Sequence, residues 1–249
     1  MPAGPLDGVD AVILAGGLGT RLRSALPDRQ KVLAEIGGRP FLELLIDSVH
    51  EAGAKRIILA LGHQADQVLS FIQDRQWRGL ELVPSVEPAV LGTGGALGFA
   101  LAQIHTDTVL ALNGDSFAVA DFAGFLKFHH ARKAIISLLL VPMKAAGRYG
   151  LVETDDAGSV IRFIEKPSES GHSVYINGGI YLFAKEAIAK IGSGSEVSLE
   201  REVFPQYCGA GLYAMKQDVP FIDIGTPESW RMADTFFASP GDKGKQSDH

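Results

Sequence analysis

Short apolar runs alternate with amphipathic helical patterns through the first half of this chain, and nothing else in it restricts the fold so much. "DAVILA", "RIILAL", "LELVP", "TVLALN" and "AIISLLLV" are strand-like, several of them apolar on successive positions, as strands of a sheet covered on both faces must be. Between them, "RPFLELLIDSVHEAG", "QADQVLSFIQDR", "TGGALGFALAQI" and "FAGFLKFHHARK" carry the helical period. This rhythm predicts an α/β fold: a mostly parallel central sheet flanked by helices, with right-handed crossovers. From about residue 148 the rhythm breaks. "YGLVETDDAGSVIRFIEKP" predicts a small β-hairpin turning at "DDAGS". Helices near 185 to 191 and 198 to 207, a strand at "LYAMK" and a last helix after "FIDIGTPESW" follow. We expect a flexible N-terminus over residues 1–8, a single domain over 9–238 and a disordered tail over 239–249, which has little to bury.

Composition narrows the function classes. The net charge of −6 argues against general nucleic-acid binding, which needs a concentrated basic surface. It leaves room for an anionic small molecule held by a few basic groups or a metal ion. One cysteine, Cys208, permits neither an intrachain disulfide nor a cysteine metal site, which fits a reducing compartment. No apolar run reaches the roughly 20 residues of a membrane helix, and "MPAGPLDG" lacks the regions of a signal peptide. A cytoplasmic protein without membrane or nucleic-acid partners is expected. Helix faces could support a homodimer, but no feature decides it.

The first strand runs directly into "AGGLGTRLRS". In an open α/β sheet, ligands bind beyond the carboxyl ends of the strands, and glycine N–H groups there can cradle an anion. Gly17 and Gly19 satisfy two positions of the dinucleotide fingerprint, but the third is Leu22; the P-loop pattern is also absent. An isolated turn of this kind is as compatible with solvated arginines as with phosphate. Two further stretches end apolar runs in carboxylates: "VLALNGDSF" gives Asp115, and "FIDIGTPESW" gives Asp223. Asp115 alone reads as an Asx turn; the two carboxylates together can hold one Mg²⁺, a hard ion suited to carboxylate, phosphate and water oxygens. Pro227 suits the first position of the last helix. His129 and His130 have no acidic partners at ligand spacing, and Trp77 and Trp230 read as packing residues.

Gly16, Gly17, Gly19, Thr20, Arg21, Leu22, Lys31 and Pro40, taken in order, resemble the loop of the sugar-1-phosphate nucleotidylyltransferases, which runs G-G-x-G-T-R-L, then Pro-Lys, then a proline heading a helix. The chain departs at Gln30, where the family usually has the proline before the lysine. The resemblance implies a Rossmann-like nucleotidyltransferase sandwich in which a sugar 1-phosphate oxygen attacks the α-phosphorus of a nucleoside triphosphate and pyrophosphate leaves. Catalytic roles then fall to Arg21 at the β- and γ-phosphates, Lys31 near the α-phosphate, and Asp115. Leu14, Gly16, Gly17, Gly19 and Thr20 would bind the nucleotide, and Asp115 with Asp223 would hold Mg²⁺. Arg23 reads as solvated. "YGLVE", "FIEKP" and "YINGG" resemble the sugar-phosphate side of the family, which implies Gly150, Glu165, Lys166 and Asn177 there.

For the base, Glu87 precedes "LGTGGAL", a stretch resembling the guanylyl branch. Pyrimidine-using members often show a glutamine in this region; this chain has none there. A carboxylate accepts from guanine N1–H and N2–H₂, and main-chain groups around Gly92, Thr93 and Gly94 would supply further contacts. Taken together, the motifs most resemble the D-glycero-D-manno-heptose 1-phosphate guanylyltransferases, over about residues 9 to 237. The expected partners are GTP and a sugar 1-phosphate, and a single activity is expected because no stretch remains for a β-helix domain. Two alternatives stay open: a mannose- or glucose-1-phosphate nucleotidylyltransferase using another base, and a non-catalytic subunit that binds nucleotide sugars.

Overall fold

The computed structural model describes residues 4–22, 25–143, 151–164 and 174–238. In chain order it begins with β1 (Asp10–Leu14), a 3-10 turn (Lys31–Leu33), β2 (Glu35–Ile36), β3 (Arg39–Pro40), α1 (Phe41–Glu51), β4 (Arg56–Leu61), α2 (Ala65–Gln73) and β5 (Glu81–Val86). Then come α3 (Gly92–Phe99) with a 3-10 extension, β6 (Thr108–Asn113), β7 (Ser116–Ala118), α4 (Phe122–Arg132) and β8 (Ile136–Met143). The second half adds β9 (Leu151–Thr154), β10 (Val160–Ile164), β11 (Val174–Ala184) and α5 (Lys185–Ile191). A π-helical turn (Leu199–Val203) leads into α6 (Phe204–Tyr207), and β12 (Leu212–Lys216), β13 (Phe221–Asp223) and α7 (Pro227–Ala238) complete the order.

The strands β5, β4, β1 and β6 lie side by side and parallel. β11 then runs antiparallel to β6 on one side and to β8 on the other, and β12 is parallel to β8. The hairpin predicted around "DDAGS" is present as β9 and β10. Side-chain alternation along β1 makes two cores. Ala11 and Ile13 pack with Phe41, Leu42, Leu45 and Val49 of α1, whose buried residues recur at helical spacing. Val12 faces the opposite layer, with Leu97 of α3 and Ile188 of α5. The result is a central, mostly parallel sheet flanked by helices, as the strand–helix rhythm predicts.

Two small features were not foreseen. β2 and β3 pair only two residues each, too short for any period to register. β7 pairs antiparallel with β13, Ser116 opposite Asp223, and this ribbon depends on a contact between residues more than a hundred positions apart. His129, on the inner face of α4, is buried with its Nδ1 2.8 Å from Ser137 Oγ on β8, a packing role in keeping with its lack of acidic partners. Among the described residues no helix is long and apolar enough to cross a membrane.

Candidate active site

β1, β4 and β6 are parallel, so their carboxyl ends open on the same edge of the sheet. β1 stops at Leu14 and the glycine loop begins there, held by Ala15 N–H donating to Ala60 O and Gly114 N–H donating to Leu14 O, both at the ends of neighbouring strands. A cleft of about 430 Å³ opens over this edge, a size suited to a small-molecule ligand. Leu14, Gly16, Gly17, Gly19, Thr20 and Arg21 line one side of it, and Lys31 and Asp115 stand at its floor. Gly19 needs its residue type: φ is +59°, and an added Cβ would sit 3.2 Å from Lys31 Cβ. The loop therefore rests directly on the stem of Lys31.

Lys31 begins the 3-10 turn that follows the glycine loop, and Asp115 sits in the turn after β6. Their side chains meet at 2.5 Å between Nζ and Oδ2, although 84 positions separate them. The lysine side chain is 13% exposed and the aspartate 41%, so the carboxylate keeps a face open to the cleft. Ile224 N–H donates to Asp115 O, which brings the end of β13 alongside. Asp223 Oδ1 accepts from Gly225 N–H at 2.8 Å and from Ser229 Oγ at 3.4 Å. A Cβ on Gly225 would lie 3.9 Å from Lys31 Nζ, so the turn after Asp223 also borders the ammonium group.

Asp115, in the turn after β6, lines the cleft; Asp223, the last residue of β13, does not, although Gly225 beside it does. Both are oxygen donors of the kind a hard divalent ion takes, and among the described residues no group of three or more His, Cys, Asp or Glu side chains could hold an ion by itself. Such a site would take the rest of its oxygens from phosphate and water, the usual arrangement for Mg²⁺.

Glu87 follows β5 and lines the cleft. Its carboxylate packs against two glycines: a Cβ on Gly62 would fall 2.3 Å from Oε1, and one on Gly16 would fall 3.1 Å away. Oε2 is buried without a hydrogen-bond partner. Burial raises the carboxyl pKa above its ordinary value, opposed by a hydrogen bond from the Leu91 backbone. A buried acceptor oxygen on a cleft wall is a place for a ligand's N–H donors.

Not every expected residue reaches the cleft. Gly92 and Thr93 line it, but Gly94 does not; its N–H donates to Val197 O at 2.8 Å, and Gly92 and Gly95 leave room for the same segment's backbone. These glycines serve close packing against residues 195–197. Asn177 is also committed within the fold: Oδ1 accepts from Gly179 N–H and Nδ2 donates to Tyr181 OH, each at 3.0 Å. Gly150, Glu165 and Lys166, like Arg23, lie outside the described residues.

Glu200 lines the cleft and was not anticipated. It accepts from Thr93 Oγ1, Ser198 Oγ and the OH of Tyr181 at 3.2 to 3.4 Å. Tyr181 is fully buried, and the Asn113 and Asn177 amides also donate to its oxygen. The stretch "SLERE" offers only a helix start with acidic residues in its first turn, so nothing local distinguishes Glu200 from a solvated glutamate.

Residues 10–239 match the nucleotidyl transferase family. The chain is 35% identical to a D-glycero-alpha-D-manno-heptose 1-phosphate guanylyltransferase of Aneurinibacillus thermoaerophilus, across 90% of this chain and 96% of that one. It is also 35% identical to a mannose-1-phosphate guanylyltransferase of Mycobacterium tuberculosis, across 89% of this chain but only 62% of that protein's length. Among solved structures, HddC from Yersinia pseudotuberculosis complexed with GMP-PN superposes with a TM-score of 0.82 at 31% identity, covering 92% of this chain and 99% of that one.

Proposed function

The chain belongs to the nucleotidyl transferase family, and from that membership we propose that it transfers GMP from GTP to a sugar 1-phosphate, forming a GDP-sugar and pyrophosphate. The observation that carries the reading is the meeting of Lys31 and Asp115 at 2.5 Å beneath the glycine loop: a cation and a metal-competent carboxylate together in the cleft that the loop borders.

In this reading the glycine loop receives the triphosphate. Arg21, exposed at the rim, binds the β- and γ-phosphates through its planar fork. Lys31 turns its ammonium from Asp115 to the α-phosphate as negative charge builds there. A sugar-phosphate oxygen forms the new bond to the α-phosphorus, the bond to the β-phosphate oxygen breaks, and pyrophosphate carries away the electron pair. The protein's contribution is alignment and charge stabilisation, with no covalent intermediate. Asp115 and Asp223 would hold Mg²⁺, which supplies neutralisation of the two phosphates brought together.

Glu87 reads guanine: the orphaned Oε2 accepts from N1–H or N2–H₂. The names of the heptose and mannose relatives support a guanylyltransferase with a manno-configured sugar. D-glycero-D-manno-heptose 1-phosphate is favoured, since that relative aligns along nearly all of both chains. Both substrates are intracellular metabolites, so we assign the protein to the cytoplasm.

The test crosses GTP, ATP, CTP, UTP and dTTP with heptose, mannose and glucose 1-phosphates in Mg²⁺ and identifies products by mass spectrometry. GDP-heptose as the leading product is the expected result. A nucleotide other than GDP in the leading product would refute the base assignment, and no product from any pair would refute the transferase reading.

A further inference from the structure

Gln30 is 2% exposed, one of few buried polar side chains among the described residues, and its position is far more constrained than a surface loop requires. Its Nε2 donates to Ala15 O at 2.7 Å, and its Oε1 accepts from Val32 N–H at 2.6 Å. Its own backbone N–H donates to Gln67 Oε1 on α2 at 2.7 Å, and Gln67 Nε2 returns a bond to Asp28 O at 2.8 Å. The backbone at Gln30 is extended, with φ −60° and ψ 132°, and it caps the 3-10 turn whose first residue is Lys31. One side chain thus joins the glycine loop at its first residue to the turn that carries the lysine, and a second bond ties both to α2.

We propose that Gln30 is a positioning residue for Lys31, fixing the lysine's turn to the glycine loop so that phosphate cradle and ammonium group keep a constant separation. The inference rests on the role given to Lys31 above. Two buried amide bonds are needed because the described residues between Gly16 and Lys31 form no helix or strand, so no regular ladder among them holds the two parts together. Without the clamp, Lys31 would keep its sequence position and lose its register against the loop. The cost falls on the reaction step, where small displacements of a charged group have large effects, and less on nucleotide affinity, which the glycine loop and the base contact sustain.

Gln30→Met keeps length and loses both side-chain bonds. Its kcat is expected to fall about 10- to 100-fold with the KM for GTP within about threefold of the parent. In a Lys31→Ala background the same substitution is expected to change kcat less than about twofold, because the two residues act as one unit. An equal fall in both backgrounds would overturn the proposal and leave Gln30 a structural residue. A readout independent of turnover accompanies these. Acylation of Lys31 by an N-hydroxysuccinimide ester, followed by peptide mass spectrometry, should run several-fold faster in Gln30→Met at a temperature where both proteins are folded. An unchanged labelling rate overturns the proposal. If Gln30→Met does not fold, Gln67→Leu, which removes the acceptor of the Gln30 N–H, should give the same pattern at smaller amplitude. Should the parent protein form no GDP-sugar, the proposed function fails while the labelling rate still decides whether Gln30 holds Lys31.

Discussion

Replacing Glu87 by Gln changes one oxygen to an amide nitrogen and nothing else in shape, yet it reverses the hydrogen-bonding sense of half the group. The carboxylate can accept from both N1–H and N2–H₂ of guanine. The amide accepts one and turns an N–H₂ toward the other donor. Losing a charge-assisted bond and leaving a donor unmatched in a partly buried site costs about 1.5–3 kcal/mol. At 1.36 kcal/mol per decade, that is about a 10- to 150-fold fall in kcat/KM for GTP. The loss should appear mainly in KM, because the base is held apart from the reacting phosphorus and its contact is the same in ground and transition states. Uracil presents an N–H donor beside a carbonyl acceptor, which the amide matches, so the ratio of GTP to UTP use should fall further than the GTP rate alone. The raised carboxyl pKa adds a pH dependence: GTP preference in the parent should weaken as pH falls through that raised value, since the protonated acid can no longer accept twice. Steady-state kinetics with both nucleotides, beside a thermal melt, would check this. Unchanged kcat/KM for GTP in folded Glu87→Gln would refute the assignment of the base to this residue.

Gly62→Ala should reproduce part of that effect without altering any charge, because its Cβ would stand 2.3 Å from Glu87 Oε1 and 2.9 Å from Gly16 O; about a tenfold loss of kcat/KM for GTP is expected, measurable in the same assay. Asp115→Asn should lower kcat by about 100-fold or more by weakening the metal site and removing the partner of Lys31, and chelation of divalent ions should stop the parent enzyme reversibly, both followed by pyrophosphate release. His129 is held neutral, first by burial and then by the neighbouring His130, with its pKa lowered to about 4. The unfolded imidazole takes its proton near 6.5, so between those values the unfolded chain binds more protons. Stability should therefore fall as pH drops from about 6.5 to 4, by up to about 3 kcal/mol from this residue. Denaturant melts of the parent and His129→Gln across that range should diverge from one another accordingly.

The strand–helix rhythm was legible because each buried strand carries its own apolar run and each helix its own period. Residues at the ends of those runs, such as Asp115, could be placed on the ligand edge by topology alone, and Lys31 meets it there. Legibility ended where side chains are satisfied by partners distant in sequence. Gly94 looks like a base-binding glycine, but its N–H is given to Val197 O. Asn177 looks like an amide for sugar hydroxyls, yet Gly179 and Tyr181 engage both of its polar atoms. Glu200 gave no signal, since its importance arises from Thr93 and Tyr181, 107 and 19 positions away. Gln30 was visible only as a departure from the family pattern; its buried bonds to Ala15 and Gln67 supply the reason a glutamine can stand there.

The ribbon of β7 and β13 sets Ser116 opposite Asp223, which has a consequence for the nascent chain. A ribosome delivers the glycine loop, Lys31, Glu87 and Asp115 within the first half of the 249 residues, and all of them line the cleft proposed for the nucleotide. The second carboxylate, Asp223, is made more than a hundred residues later, and its strand can pair with β7 only from then on. Under the proposed metal role, competence for chemistry is thereby deferred until β13 has been made and has paired with β7.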